Sequence, residues 1–227
     1  MDLLPLKDLN RTLTAPHINR VLILLNIVAF AVYFLSSEDI LLSRRVATSF
    51  EANFVMVPIL ILNGQRLFTL VTSMFMHANL LHLAGNMLYL YIFGDNIEDV
   101  FGHVGYLAFY LFSGLAASFT HILSITNPAD LVVGVVGASG AISGVLGAYL
   151  ILFPRSRILS LVAYFVLPVP AVLFLGFWFA LQWIYVLTGT SSGVAYFAHI
   201  GGFITGVVLA VLFGLRRKDA LRRRYGL

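Results

Sequence analysis

The sequence predicts an all-α membrane protein: a six-transmembrane-helix bundle with an interfacial first loop. Three observations carry that prediction. The chain of 227 residues is 60% hydrophobic and only 11% charged, against about 25% charged residues in an ordinary soluble domain, and its mean hydropathy is +0.95. Its apolar residues fall into stretches long enough for bilayer crossings of ~20 residues each, separated by Gly, Pro and polar clusters. Its basic residues are distributed unevenly between the two sides that six crossings would create.

The same composition excludes other classes. The chain has no Cys, which removes disulfide frameworks, thiolate metal sites and a cysteine nucleophile. High apolarity with low charge is the reverse of the signature of disorder. The net charge of +4 does not point to nucleic acid, because Arg216, Arg217, Lys218, Arg222, Arg223 and Arg224 concentrate it in one tail. A basic run beside a span is a topology anchor and a contact for anionic lipid.

Taken in order, residues 1–19 form a charged cytoplasmic segment with Lys7 and Arg11, unlike the short apolar core of a cleavable signal peptide. The first span covers about 20–36, uninterrupted by charge from Val21 to Leu35. The following stretch, with Glu38, Asp39, Arg44, Arg45, Glu51 and Arg66, contains an apolar piece at 54–62 that Pro58 breaks. It is expected to lie in the headgroup layer. The second span, 80–97, is expected to close at the polar knot Gly94-Asp95-Asn96-Ile97-Glu98-Asp99, and the third covers 103–123. The fourth, 137–153, carries Gly137, Gly140, Gly144 and Gly147 at spacings of three and four, which lines one helix face with hydrogens and allows close backbone approach. This should be the central helix. Residues 157–169, with Pro168, are expected to form a short interfacial piece before the fifth span, which ends near 186. A polar loop at 188–193 then leads to the sixth span at 194–215. The domain is thus 20–215, followed by a basic cytoplasmic tail at 216–227. With six crossings only Arg44, Arg45 and Arg66 fall on the side opposite the termini, so both termini are expected to be cytoplasmic. The absence of appended domains suggests a prokaryotic cell membrane.

Ionisable and polar side chains within spans are costly and default to functional hypotheses. Three clusters qualify: His82-Leu83-Ala84-Gly85-Asn86 in the second span, Gly137-Ala138-Ser139-Gly140 at the start of the fourth, and Ala198-His199-Ile200-Gly201-Gly202 in the sixth. Singly, each has a plain explanation. A serine in a spanning helix usually bonds the carbonyl one turn back, a lone histidine joins a polar network or lines a pore, and His82 with Asn86 on one helix face serves as interhelical glue. Together they supply the parts of an acyl-transfer site. Ser139 is a nucleophile that needs a base, and neutral His199 is a suitable one. Ser139 lies near a helix start, where backbone N–H groups lack intrahelical partners and can meet an oxyanion, with His82 and Asn86 as side-chain donors. Gly140 and Gly144 on one helix, with Gly202 and Gly206 on the other, would allow the approach that brings hydroxyl and imidazole together. No Asp or Glu is placed to orient His199, so a dyad is expected, held by a partner that the pattern does not identify.

The ordered set His82-x-x-x-Asn86, Gly137-x-Ser139-Gly140 and Ala198-His199-x-x-Gly202, on the second, fourth and sixth spans, resembles the rhomboid intramembrane serine proteases over about residues 64–214. The resemblance implies Ser139 as nucleophile, His199 as general base, and His82, Asn86 and the Ser139 backbone as the oxyanion hole. It also implies a water-filled site open to the extracytoplasmic face and single-pass transmembrane substrates cut near their outer end. Gly94-Asp95-x-x-Glu98-Asp99 fits the family as a turn capping the second span. Two positions differ from many members: Phe68-Thr69 stands where a Trp-Arg pair is common, and Ser143 stands four residues after the nucleophile, where an aromatic ring often covers the histidine. No metal or organic cofactor is implied, since there is no His-Glu-x-x-His pattern and no phosphate-cradling glycine loop. His17, His77, His103 and His121 are expected at interfaces or in loops, and Asp130 in a solvated loop. Two other function classes fit the polar clusters: a transporter or channel, and a non-catalytic protein that binds transmembrane helices.

Overall fold

The computed structural model describes residues 3–10, 12–38, 40, 43–190 and 193–225. Arg11, Asp39, the middle of the 188–193 loop and the side chain of Arg224, each part of an expectation above, lie outside that description. The architecture is a helical bundle carrying one small sheet. Its long helices are α1 (His17–Ser37), α5 (Leu80–Phe101), α6 (His103–Ser124), α7 (Ser139–Leu152), α8 (Ala171–Leu187) and α9 (Tyr196–Leu209). A π-helical turn at Ala210–Gly214 joins α9 to α10 (Leu215–Tyr225), so the expected basic tail continues the last helix. Among the described residues, three helices suffice by length and composition to cross a membrane: His17–Ser37, His103–Ser124 and the continuous Tyr196–Arg223. The shorter Ser139–Leu152 and Ala171–Leu187 are apolar as well. The outer faces are greasy: Val21, Leu24, Leu25, Ile27 and Val28 on α1 are all exposed, as are Leu173 and Phe177 on α8. Water does not stabilise such a belt, and lipid does. The chain is a membrane protein.

At the centre stands α7, as its glycine pattern predicts. Every residue from Gly140 to Tyr149 is buried. A Cβ on Gly202 or Gly206 would collide with the carbonyl oxygen of Gly140 or Gly144, so α7 and α9 are in backbone contact. Their contacts advance in the same direction along both chains, which makes the two helices parallel with neighbouring starts. The first loop folds as α2 (Arg44–Phe54), α3 (Pro58–Leu62) and α4 (Thr69–Thr72), with a 3₁₀ turn at Ser73–Phe75. Arg66, at φ 50°, donates to the Ala52 carbonyl and ties that loop to itself.

Two expectations need correction. The first is the all-α class: β1 (Leu3–Asp8), β2 (Arg157–Val162) and β3 (Phe165–Pro170) form an antiparallel sheet in the order β1-β2-β3. The sheet lies at the end of the bundle opposite the start of α7. Residues 157–169 therefore pair as a hairpin, Val162 opposite Phe165, with Ala163 at φ 53° in the tight turn. The prolines at 168 and 170 are tolerated because β3 is an edge strand.

The second concerns the polar knot. The helix does not close there; α5 runs on to Phe101 and stops at Gly102, whose φ of 71° takes the chain out of helical geometry. The acids of the knot act on the N-terminal segment. Glu98, fully buried, accepts the N–H groups of Ile18 (2.9 Å) and Asn19 (2.7 Å) in the first turn of α1 and meets His103 Nδ1 at 2.5 Å. That satisfies donors a helix start otherwise leaves unpaired. Asp99 accepts from Leu13 N–H (2.6 Å), Thr14 N–H (2.9 Å) and the Thr14 hydroxyl. Asn96 donates to Asp8 at 2.7 Å and accepts from Asn10 at 2.5 Å. At the other terminus Arg217 donates to Phe101 O (2.7 Å) and Lys218 to Leu152 O, so basic side chains cap the C-terminal ends of α5 and α7.

Candidate active site

Ser139 is the first residue of α7. The α-helical ladder opens with Ile142 N–H to Ala138 O at 2.9 Å, so the N–H groups of Ser139, Gly140 and Ala141 precede it. Gly137, just before, has φ +123°, a conformation that L side chains rarely adopt. Its N–H donates to Ser73 O at 2.9 Å, and an added Cβ would lie 2.8 Å from His82 Nε2 and 3.7 Å from Ser139 Oγ. Glycine here is required by backbone and space alike, because the His82 imidazole already stands where a Cβ would go.

His82 and Asn86 stand one turn apart at the start of α5. Asn79 caps that helix, accepting His82 N–H at 2.9 Å. Asn86 is 8% exposed, and its Nδ2 is buried with no hydrogen-bond partner. A buried amide donor left open costs about 1–3 kcal/mol and is uncommon in a finished fold.

His199 lies in the first turn of α9. Its Nδ1 meets Gln182 Oε1 at 2.8 Å, and Gln182 Nε2 donates to Trp178 O at 3.0 Å. Trp178 faces the imidazole at 5.8 Å between ring centroids and 34° between planes, with Tyr196 edge-on at 6.4 Å and 85°. Four residues beyond Ser139, Ser143 donates its hydroxyl to Ser139 O at 2.6 Å.

These elements enclose one cavity of about 1120 Å³, lined by His82, Asn86, Ser139 and His199 together with Gly137 and Gly140. Its rim comes from the loops after α6 and α8, including Asp130 and Thr190. Four predicted side chains from three helices thus share one space. Ser139 and His199 line it without a hydrogen bond between them. Gly144, Gly202 and Gly206 lie away from it, in the α7–α9 seam. His121 also lines the cavity. His77, expected at an interface or in a loop, lies in the connection before α5, where it is 3% exposed with its ring edge-on to His82 at 5.1 Å. Burial and the neighbouring His82 push its pKa down to about 4.

Sequence reasoning missed Trp178 and Gln182, which hold His199. The signal was present: a glutamine in an otherwise apolar stretch of spanning length, one turn after a tryptophan, is the kind of intramembrane polar residue that calls for a role.

The Rhomboid domain family matches residues 64–216. Over 154 residues the chain is 32% identical to Rhomboid protein 1, mitochondrial, of Saccharomyces cerevisiae, covering 62% of this chain and 40% of the relative. It is 30% identical over 213 residues to RHOMBOID-like protein 12, mitochondrial, of Arabidopsis thaliana (83% and 61%). It is 31% identical over 157 residues to Rhomboid protease GluP of Bacillus subtilis (68% and 28%). The matched region thus spans between about a quarter and three fifths of these relatives. With its matched segment beginning at the first loop and including α5 to α9, the chain belongs to the rhomboid family.

Proposed function

We propose that the protein is an intramembrane serine endopeptidase that cuts single-pass transmembrane substrates near their extracytoplasmic end. The observation that carries this reading is the shared cavity, in which Ser139, His199, His82 and an Asn86 amide with an unpaired donor meet at the start of a helix. A relative whose name identifies it as a protease, GluP, supports the same reading.

In this mechanism His199 Nε2 removes the Ser139 hydroxyl proton as Oγ attacks the scissile carbonyl. The carbonyl oxygen becomes an oxyanion that the Ser139 N–H, Asn86 Nδ2 and His82 Nε2–H stabilise, and fixed donors of this kind are worth about 10²–10³ in rate each. His199 then returns the proton to the leaving amine. Water, deprotonated by His199, hydrolyses the acyl-enzyme and regenerates Ser139. Side chains and backbone fill every role, so the scheme uses no cofactor. A transmembrane helix hides its carbonyls in its own hydrogen bonds, so substrates with Gly or Pro near the cut are preferred. The topology we propose has six crossings, α1 and α5 to α9, both termini on the cytoplasmic side with the sheet, and the cavity rim outside. The first-loop helices lie in the interface, touching lipid.

The test is cleavage of a purified single-pass reporter carrying Gly and Pro near its outer end, co-reconstituted in liposomes. The account expects one cut in the outer third of the span, lost in Ser139→Ala. Binding of the intact reporter without cleavage would replace it with a helix-binding function, and ion or solute flux through the cavity with a transport function.

A further inference from the structure

The general base proposed above has no carboxylate behind it, yet its ring is held. Gln182 sits on α8, one turn after Trp178, and is 5% exposed. Its amide is oriented by the backbone: Nε2 donates to Trp178 O at 3.0 Å, an atom that can only accept. Oε1 is therefore the atom that faces His199 Nδ1 at 2.8 Å. An amide oxygen can only accept, so Nδ1 must carry the proton. The Nε2 corner of the ring is then unprotonated. The Trp178 ring beside it and Tyr196 at its edge restrict rotation.

We propose that Gln182 is a positioning residue that locks His199 in the Nδ1–H tautomer and leaves the Nε2 lone pair free for Ser139. Being neutral, the amide fixes proton position and ring angle without adding a negative charge that would stabilise the imidazolium. In a triad the buried carboxylate does both. The aromatic cover that many family members place four residues after the nucleophile is supplied here from α8 by Trp178, the same residue whose carbonyl orients the amide. One turn of α8 therefore provides both supports of the base. The other titratable side chains lining the cavity are His82 and Tyr89 from α5, His121 from α6, Asp130 from the following loop, Tyr185 from α8 and Tyr196 from α9; the partner at His199 Nδ1 is Gln182 Oε1.

The inference rests on the protease reading for its consequence and on geometry alone for the tautomer, and the test separates them. The full-length protein is labelled with ¹⁵N-histidine, and the His199 ring nitrogens are observed at alkaline pH, where imidazole is neutral. The expected result is a protonated Nδ1 and an unprotonated Nε2 in the wild type, with loss of that bias in Gln182→Leu and its retention in Gln182→Glu, which keeps an acceptor. In reporter cleavage Gln182→Leu should lose about 10- to 100-fold in kcat, as expected for removing a residue that orients a functional imidazole, with KM unchanged. Gln182→Glu should recover most of that loss. If Gln182→Leu does not fold, the wild-type spectrum still decides: Nε2–H on His199 overturns the proposal. An unchanged tautomer and unchanged kcat in a folded Gln182→Leu also overturns it. If the wild type cleaves nothing while His199 shows the Nδ1–H signature lost in Gln182→Leu, the protease reading falls and the positioning of His199 by Gln182 stands.

Discussion

The seam between α7 and α9 should be intolerant of a single methyl group. A Cβ built on Gly206 lies 2.6 Å from the Gly144 carbonyl carbon and 2.7 Å from its Cα. Carbon atoms in ordinary contact stand about 3.5–4.0 Å apart, so Gly206→Ala forces the two backbones apart by roughly 1 Å. Both partners are main chain, so no rotamer change relieves the clash. Overpacking of this kind costs about 1–3 kcal/mol. The seam also sets the separation of Ser139 and His199, which begin the two helices it joins, and a displacement of about 1 Å in a reacting pair can cost about 10²-fold in rate. The control is Gly176→Ala on α8, where an added Cβ meets nothing within 4 Å; it should stay within about 0.5 kcal/mol of wild type. Reversible unfolding in mixed micelles measures the first quantity, and the rate of reporter cleavage the second. If Gly206→Ala matches Gly176→Ala in both, close backbone packing does not position the site.

Three further outcomes follow from the geometry. Asn86→Ala removes a buried donor that has no partner in the free protein, so cleavage should fall by about 10²–10³-fold while unfolding stability holds or rises; a loss of stability with cleavage intact would make Asn86 a structural residue. Glu98→Ala strips the acceptor from Ile18 and Asn19 and should destabilise the fold by about 1–3 kcal/mol, measured in the same micelles, whereas an unchanged midpoint would mean that the start of α1 is solvated in solution. His77 has a pKa lowered to about 4 from 6.5. Its neutral form is the one that the fold favours, so its contribution is fully present above about 6.5 and is lost as pH falls toward 4, by at most about 3 kcal/mol. His77→Phe should flatten that part of the stability–pH curve, and an unchanged slope would assign it to another group.

Hydrophobic stretches and glycine spacing made the helices legible, because a spanning helix must satisfy its backbone internally and cannot hide its apolar length. Ser139 and His199, which line one cavity, stood out for a related reason: polar side chains in an apolar helix are expensive. The sheet was not. Ile158 to Val162 is a short apolar run whose periodicity does not distinguish strand from helix, and its pairing with Leu3 to Asp8 joins segments about 150 residues apart by contacts that no local pattern records. The end of α5 was misread because the knot of acids looks like a loop from inside the helix, although Gly102, the actual stop, is the usual residue there. What the acids bind is a chain segment some 80 residues earlier. Gln182 was overlooked between aromatic neighbours, and only its distance to His199 reveals the partner that the missing carboxylate leaves to be found.

The central claim is that Ser139 is an activated nucleophile. Labelling of the detergent-purified protein by a fluorescent fluorophosphonate, beside Ser139→Ala and His199→Ala, tests it most directly. The account predicts label on the wild type and none on either variant. Equal labelling of wild type and Ser139→Ala, or no label on a folded wild type in a detergent where another rhomboid protease labels, would contradict it.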